Sequence, residues 1–335
     1  MTVKFAILGA GRIGQVHARA IASVPGAALV AVADPIAKAA DTATAAYGGE
    51  VRTIDAILTA EDVDAVVICT PTDTHADLIE RSARAGKAIF CEKPVDLDVA
   101  RARRVVEVVE EAGATLMVGF QRRFDPDFRA LRAEVDRGTI GEVEMVTVMS
   151  RDPGAPPIDY IKRSGGIFRD MTIHDFDVAR WMLGEEVATV IAAASNLVDP
   201  EIGKAGDWDS VNVILTTASG KQCTISNSRR ATYGYDQRIE VHGSMGSIAA
   251  ENTHKARVTV ANDTGYTRPP LLDFFMTRYT AAYAAEIAHF VDALESGSPT
   301  ATTGYDGVMA LVLAEAAVRS VDEGRTIKLS EVLLT

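Results

Sequence analysis

The chain has 335 residues, long enough for two packed domains at roughly 150 residues each. A hydrophobic fraction of 47% and a charged fraction of 24% are those of a globular protein and exclude a disordered or collagen-like chain. Lys and Arg number 34 against 46 Asp and Glu, a net charge of −12, and the basic residues are scattered, so nucleic acid is excluded as a partner and a small molecule is expected.

Lys4 precedes an apolar stretch, but Phe5 to Leu8 has only a strand's length before Gly9 to Gly14 interrupts it, so no signal peptide is read there. No other run approaches the ~18 apolar residues of a membrane span. Cys69, Cys91 and Cys223 are odd in number, and the first two sit in apolar runs, as buried thiols of a reducing compartment do. The expected location is the cytoplasm, with no membrane partner.

Val3 to Leu8 reads as a strand, followed by a helix whose apolar residues Ile13, Val16, Ala20, Ile21 and Val24 recur at helical spacing. Strands at Ala28–Ala33, Ala65–Cys69, Ala88–Cys91 and Thr115–Val118 then alternate with helical patterns at 36–47, 74–85 and 97–112. This alternation predicts a parallel sheet covered on both faces, a doubly wound Rossmann domain over residues 1–120. After Phe120 the character changes, with strands at Glu142–Met149, Val187–Ala194, Val211–Thr217, Gln222–Ser228, Arg238–His242 and Arg257–Ala261. Helices return at 125–137, 170–183, 279–296 and 304–323; Asp152–Pro157 is an irregular loop, and Ala218-Ser219-Gly220 has a hairpin composition. The fold class is therefore α/β, with residues 121–335 forming a second α/β domain on an open, mostly antiparallel sheet.

Gly9-Ala10-Gly11-Arg12-Ile13-Gly14 carries glycine at the three positions where a strand-to-helix turn must present bare backbone to a pyrophosphate, and the helix start supplies N–H groups and positive charge. Asp34 closes the second strand, where a carboxylate accepts hydrogen bonds from a ribose diol and repels a 2′-phosphate. No Arg follows it, so NAD is expected over NADP. Asp34 also reads as a helix N-cap, because Pro35 follows. Thr70-Pro71-Thr72-Asp73-Thr74-His75 and Cys91-Glu92-Lys93-Pro94 each follow a strand at the carboxyl edge, where doubly wound folds bind ligands; His75 also reads as a helix cap. Further on, Asp170 and His174 open a helix four residues apart, a spacing that puts carboxylate and imidazole on one face. Asp177 extends that stripe, but no His-Glu-x-x-His run or Cys pair accompanies it, and no metal is expected.

Glu-Lys-Pro, Asp-x-x-x-His and the glycine fingerprint together resemble the glucose-fructose oxidoreductase and inositol dehydrogenase (GFO/IDH/MocA) family, over essentially the whole chain. The stretches Gly119–Asp125, Ser150–Pro153 and Tyr233–Asp236 look most like those of bacterial inositol 2-dehydrogenases. The resemblance implies NAD-dependent oxidation of myo-inositol to 2-keto-myo-inositol, in inositol catabolism, by a homotetramer with its active site at the domain seam. It makes His174 the base, Asp170 its orienter and Lys93 the partner of the reacting hydroxyl; a neutral imidazole near its usual pKa of about 6.5 can take that proton. It places Arg12, Ile13, Thr70 and Pro71 at the cofactor with the glycines, and His75, Glu92, Lys93 and Gln121 there too. For substrate it implies Arg122 or Arg123, Asp152 and Tyr233, with Tyr160 and Tyr235 as further partners beside Lys93, Asp170 and His174. A dehydrogenase of scyllo-inositol, another cyclitol or an aldose would use the same three central residues. A silent NAD-binding regulator is the rival of a different class, and it has no need of a base beside the nicotinamide.

Overall fold

The computed structural model describes residues 2–333. It begins with β1 (Val3–Leu8), α1 (Arg12–Ser23), β2 (Ala27–Ala33), α2 (Ala37–Tyr47), β3 (Glu50–Val51), α3 (Ile54–Thr59), β4 (Ala65–Ile68), α4 (His75–Arg84), β5 (Ala88–Glu92), α5 (Val99–Glu111) and β6 (Leu116–Gly119). The six strands are parallel in the order β3-β2-β1-β4-β5-β6. Strand order reverses beside β1, which opens a crevice at the carboxyl edge. Both faces are covered, so β4 is an unbroken buried run, Ala65-Val66-Val67-Ile68.

There follow α6 (Pro126–Asp136), β7 (Val143–Arg151), α7 (Ile158–Ser164), α8 (Gly166–Asp170), α9 (Thr172–Leu183), β8 (Val187–Ser195) and α10 (Pro200–Lys204). Then come β9 (Ser210–Thr217), β10 (Gln222–Ser228), β11 (Asp236–Gly243), β12 (Gly246–Ala250), β13 (Val260–Asn262), β14 (Gly265–Thr267), α11 (Phe275–Arg278), α12 (Thr280–Ser296), α13 (Gly304–Glu323), β15 (Ile327–Lys328) and α14 (Leu329–Leu333). The second sheet runs β12-β11-β7-β10-β9-β8-β15, and only β7 and β10 pair in parallel. It is open on one side: along β9, Val211, Val213 and Leu215 are buried while Asn212 and Ile214 are exposed.

One expectation is corrected. The strand expected at Arg257–Ala261 is instead Val260–Asn262, paired only with Gly265–Thr267 in a separate exposed hairpin, because its residues have no buried face to offer the sheet. By packing, the chain forms two units. One packed unit holds the residues up to Phe124 together with Thr280–Leu311, and the other holds Asp125–Tyr279 and the chain from Val312 onward.

The physical reason lies in the apolar face of α12, which completes the first unit. Phe290 is fully buried there, its ring centroid 6.2 Å from that of Phe5 on β1 and 6.0 Å from that of Phe90 on β5. Phe290→Ala is accordingly expected to cost roughly 3–5 kcal/mol of stability, read from the urea midpoint of unfolding; a loss below about 1 kcal/mol would mean that α12 is not part of this core.

Candidate active site

In the turn from β1 to α1 each glycine answers a different constraint. Gly9 has φ +96°, and a Cβ on it would lie 2.8 Å from the backbone of Cys69 and Thr70; one on Gly14 would lie 2.0 Å from the Gly9 carbonyl oxygen. Gly11 is the exception, with nothing within 4 Å of such an atom. No side chain caps α1, and its first turn carries no acid. Bare backbone facing open space at an uncapped helix start fits the pyrophosphate of a dinucleotide.

Asp34 holds this turn in place: its Oδ2 accepts the Ala10 N–H at 2.6 Å and its Oδ1 accepts the Ile36 N–H at 2.7 Å. The capping reading is corrected here, because α2 starts only at Ala37 and Ile36 is its N-cap; Asp34 closes a local turn before the helix. Gln15, which sequence reasoning missed, donates from Nε2 to the carbonyls of Ala10 and Ala39, each at 3.1 Å. Arg12 and Ile13 form the first, accessible residues of α1.

Thr70 and Pro71 follow β4, and Lys93, half-buried, directly follows β5. His75 is buried between the two turns, with Nδ1 2.8 Å from the Pro94 carbonyl and Nε2 2.8 Å from that of Thr70. Burial lowers its pKa. Each ring nitrogen faces a backbone carbonyl of one of the two loops, and the neutral ring donates its single N–H to one of them, so it lies as a tie between the loops. Gln121 and Arg122 are buried after β6, while Arg123 donates to the Ala301 carbonyl at 3.0 Å and to Asp306 at 2.9 Å, a brace within the same unit.

Beneath Lys93 lies a cluster that sequence reasoning missed. His17 on α1 places Nε2 2.7 Å from Glu92 Oε1 and Nδ1 3.9 Å from Glu286 Oε1 on α12, with His17 and Glu286 fully buried. Burial, and then the charge of Glu92, push the Glu286 carboxyl well above its usual range. A signal was present in the sequence: His17 falls in the pattern Ile13, Val16, Ala20, Ile21, Val24, as a titratable residue on the apolar face.

In the second unit the Asp170 and His174 pair does not share one helix. Asp170 ends α8, Met171 interrupts at φ −100° and ψ −59°, and His174 lies in the first turn of α9. Ten of the twelve residues of α9 are buried, and His174 and Trp181 are the two left partly accessible. Tyr160 Oη donates to Asp170 Oδ1 at 2.9 Å. Neighbouring buried polar groups anchor both helices. Asp175 accepts from Ser150 Oγ at 2.6 Å and from Asn227 Nδ2 at 2.7 Å, and Thr172 donates to Asn227 at 2.6 Å, pinning α9 to β7 and β10. Asp207, its carboxyl raised by burial, accepts the Ile167 N–H at 2.8 Å and pairs with Arg229 at 3.1 Å. Gly166, at φ +82°, makes room for it, since a Cβ there would lie 2.7 Å from Asp207 Oδ1.

The remaining substrate candidates separate by exposure. Asp152 is half-buried just past β7, its N–H donating to the Ser228 carbonyl at 2.9 Å. Tyr233 is 48% exposed; its hydroxyl donates to Asp236 at 2.6 Å and accepts from Arg151 at 3.2 Å, and burial and then that bond to Asp236 raise its pKa. Tyr235, at 6% exposed, stacks edge-on against Phe274 and Tyr279, so its ring belongs to the core and not to an open substrate surface. Among the described residues no group of three His, Cys, Asp or Glu is placed to hold a metal ion.

Comparison with known proteins sets this geometry beside known chemistry. Residues 3–120 match the oxidoreductase family, NAD-binding Rossmann fold, and residues 128–249 match the GFO/IDH/MocA C-terminal domain. The chain is 66% identical over 330 residues to an inositol 2-dehydrogenase of Rhizobium meliloti, covering 98% of this chain and 100% of that protein. It is 45% identical over 333 residues to a myo-inositol 2-dehydrogenase of Thermotoga maritima, covering 99% and 100%. Among solved structures, scyllo-inositol dehydrogenase from Lactobacillus casei with bound NAD(H) and scyllo-inositol is similar at a TM-score of 0.92 and 31% identity, covering 98% and 100%.

The raised carboxyl of Glu286 gives a pH-dependent prediction. The folded chain keeps a proton there that the unfolded chain releases above about pH 4 to 5. That contribution to stability is complete at lower pH and is lost as pH rises through the folded-state pKa. Glu286→Gln removes the loss, so its thermal midpoint is expected to gain on wild type as pH is raised to neutral and beyond. A gap that stays constant with pH would show that Glu286 is not held protonated.

Proposed function

The chain belongs to the GFO/IDH/MocA family of NAD-binding oxidoreductases, and from that premise we propose that it oxidises myo-inositol with NAD to 2-keto-myo-inositol, as a step in inositol catabolism. One observation carries the reading: the single titratable side chain that α9 leaves accessible is His174, one turn beyond Asp170, in a chain that retains Glu92-Lys93-Pro94 at the end of β5.

NAD, when bound, accepts the hydride from the carbinol carbon. Gly9, Gly11 and Gly14 hold its pyrophosphate at the start of α1, with Arg12 and Ile13 beside them, and Asp34 takes the ribose hydroxyls with the lone pairs that its two backbone bonds leave. Thr70, Pro71, Glu92 and Gln121 complete the cofactor walls, and His75 acts by tying the two loops. His174 accepts the hydroxyl proton as the carbinol C–H bond breaks and the C–O bond becomes C=O, so the alcohol reaches the ketone without passing through a free alkoxide. Asp170 orients the imidazole and stabilises its protonated form, itself steadied by Tyr160. Lys93 donates to the reacting oxygen and offsets its developing negative charge. Asp152, Tyr233 and Arg122 are assigned to the other ring hydroxyls, while Arg123 acts through its brace to Asp306.

The finer assignment is a cytoplasmic homotetramer. Free buried thiols at Cys69, Cys91 and Cys223 suit a reducing compartment. The open face of the second sheet exposes Met145, Ile191 and Ile214, an apolar surface suited to a second copy. A second substrate, scyllo-inositol, is favoured by the Lactobacillus casei structure that holds it.

Purified protein with NAD and myo-inositol at slightly alkaline pH is expected to form NADH, followed by absorbance. Turnover with scyllo-inositol far above that with myo-inositol would move the assignment to that isomer, and bound NADH without turnover on any polyol would move it to a regulator. Lys93→Ala and His174→Ala are each expected to lower kcat/KM by on the order of 10²-fold or more while NADH still binds. Asp34→Ala is expected to raise KM for NAD and relax the preference over NADP; an unchanged preference would reduce Asp34 to a backbone tie.

A further inference from the structure

His17 and Glu286, which stand behind Glu92, are unused by the reaction proposed, and they are an unusual pair to bury. His17 and Glu286 have no exposed surface, and both Glu286 oxygens and His17 Nδ1 lack a hydrogen bond among the described residues. The imidazole lies edge-on between Phe90, at 5.0 Å, and Tyr283, at 5.4 Å, a slot that an apolar side chain would fill at less cost. Departures of this kind from local preference concentrate where function demands them.

The cluster's one short contact leads to the reaction. Glu92 is the last residue of β5 and Lys93 is the next. The Glu92 carboxyl is seated between His17 Nε2, at 2.7 Å, and the bare backbone of Gly119 on β6, where a Cβ would lie 3.3 Å from Oε1. Lys93 follows in a bend immediately past β5, so the seat of Glu92 fixes the point from which that bend departs. The helix that supplies His17 is also the one whose start cradles the pyrophosphate.

We infer that His17, with Glu286 behind it, is a positioning residue: by holding Glu92 against α1 it sets the direction in which Lys93 leaves β5, and so registers Lys93 to the helix that binds the cofactor. This rests on the reading of Lys93 as the hydroxyl's partner. Glu286, kept uncharged by burial, backs the imidazole without competing as a second anion.

Two variants that differ by one methylene test it. The amide nitrogen of His17→Gln reaches the position of Nε2 and can donate to Glu92, whereas that of His17→Asn overlays Nδ1 and faces Glu286. His17→Asn is expected to lower kcat by about 10-fold to 10²-fold, with NADH affinity by fluorescence and thermal midpoint close to those of His17→Gln, which recovers most of the rate. Wild-type kcat in a folded His17→Asn, or equal impairment of the two variants, would overturn the inference. Should His17→Asn not fold, His17→Gln decides by itself: with the donor to Glu92 kept, kcat near wild type is expected, and a loss of about 10-fold or more with NADH affinity intact would overturn the inference. Lys93→Ala separates the two levels. Full activity there removes the reading of Lys93 itself, whereas an inactive Lys93→Ala beside an unimpaired His17→Asn removes only the positioning.

Discussion

The bond from the Ala10 N–H to the Asp34 carboxylate is the contact on which the cofactor end of the first unit depends. A parallel sheet delivers β1 and β2 to the same edge, and the turn leaving β1 must cross the end of β4 so closely that Gly9 has no room for a Cβ. In that turn the Gly9 N–H still donates to the Ala33 carbonyl of β2 at 2.8 Å, and the next N–H, that of Ala10, needs a side-chain acceptor. Asp34, arriving at the end of β2, supplies an acceptor, and Gln15 supplies a donor from the first turns of α1. The carboxylate assigned to a ribose diol is therefore also the group that holds the glycine turn in shape.

The same economy recurs around the residues assigned to chemistry. Asp175 and Asn227 fix the first turn of α9, and Asp207 fixes the start of α8, so that Asp170 and His174 leave two short helices whose roots are buried and hydrogen-bonded. His75 and His17 perform the corresponding task for the turns after β4 and β5. In each case the accessible polar group is backed by a buried one with little freedom, which limits the reorganisation left for the reaction to perform.

Most of the fold was legible in the sequence because its signals are local. Alternating apolar strands and amphipathic helices specified the first sheet, and alternation along β7 to β11 specified a second sheet with one open face. The segment at 257–261 misled because a run containing Val and Thr resembles a strand whether or not a sheet edge is there to receive it. The α8 and α9 junction misled because helical spacing between Asp170 and His174 is compatible with a single helix, whereas the two segments end and begin at Met171 and are anchored to different partners. Tyr233 and Tyr235 both read as substrate partners on the resemblance, and packing against Phe274 and Tyr279 is what buries the second ring while the first stays exposed.

The sequence by itself determined the turn chemistry of Gly9 to Gly14, the acid at the end of β2, the Glu92-Lys93-Pro94 and Asp170…His174 pairs, and a fold class able to carry them. These are properties of spacing and residue type, set within a few turns of chain. The tertiary structure alone decided that α12 completes the first unit, that Arg123 and Tyr235 are engaged within the structure, and that His17, Glu92 and Glu286 meet. Those facts depend on contacts between residues up to 285 positions apart, and no local propensity encodes which distant side chain will share a buried space.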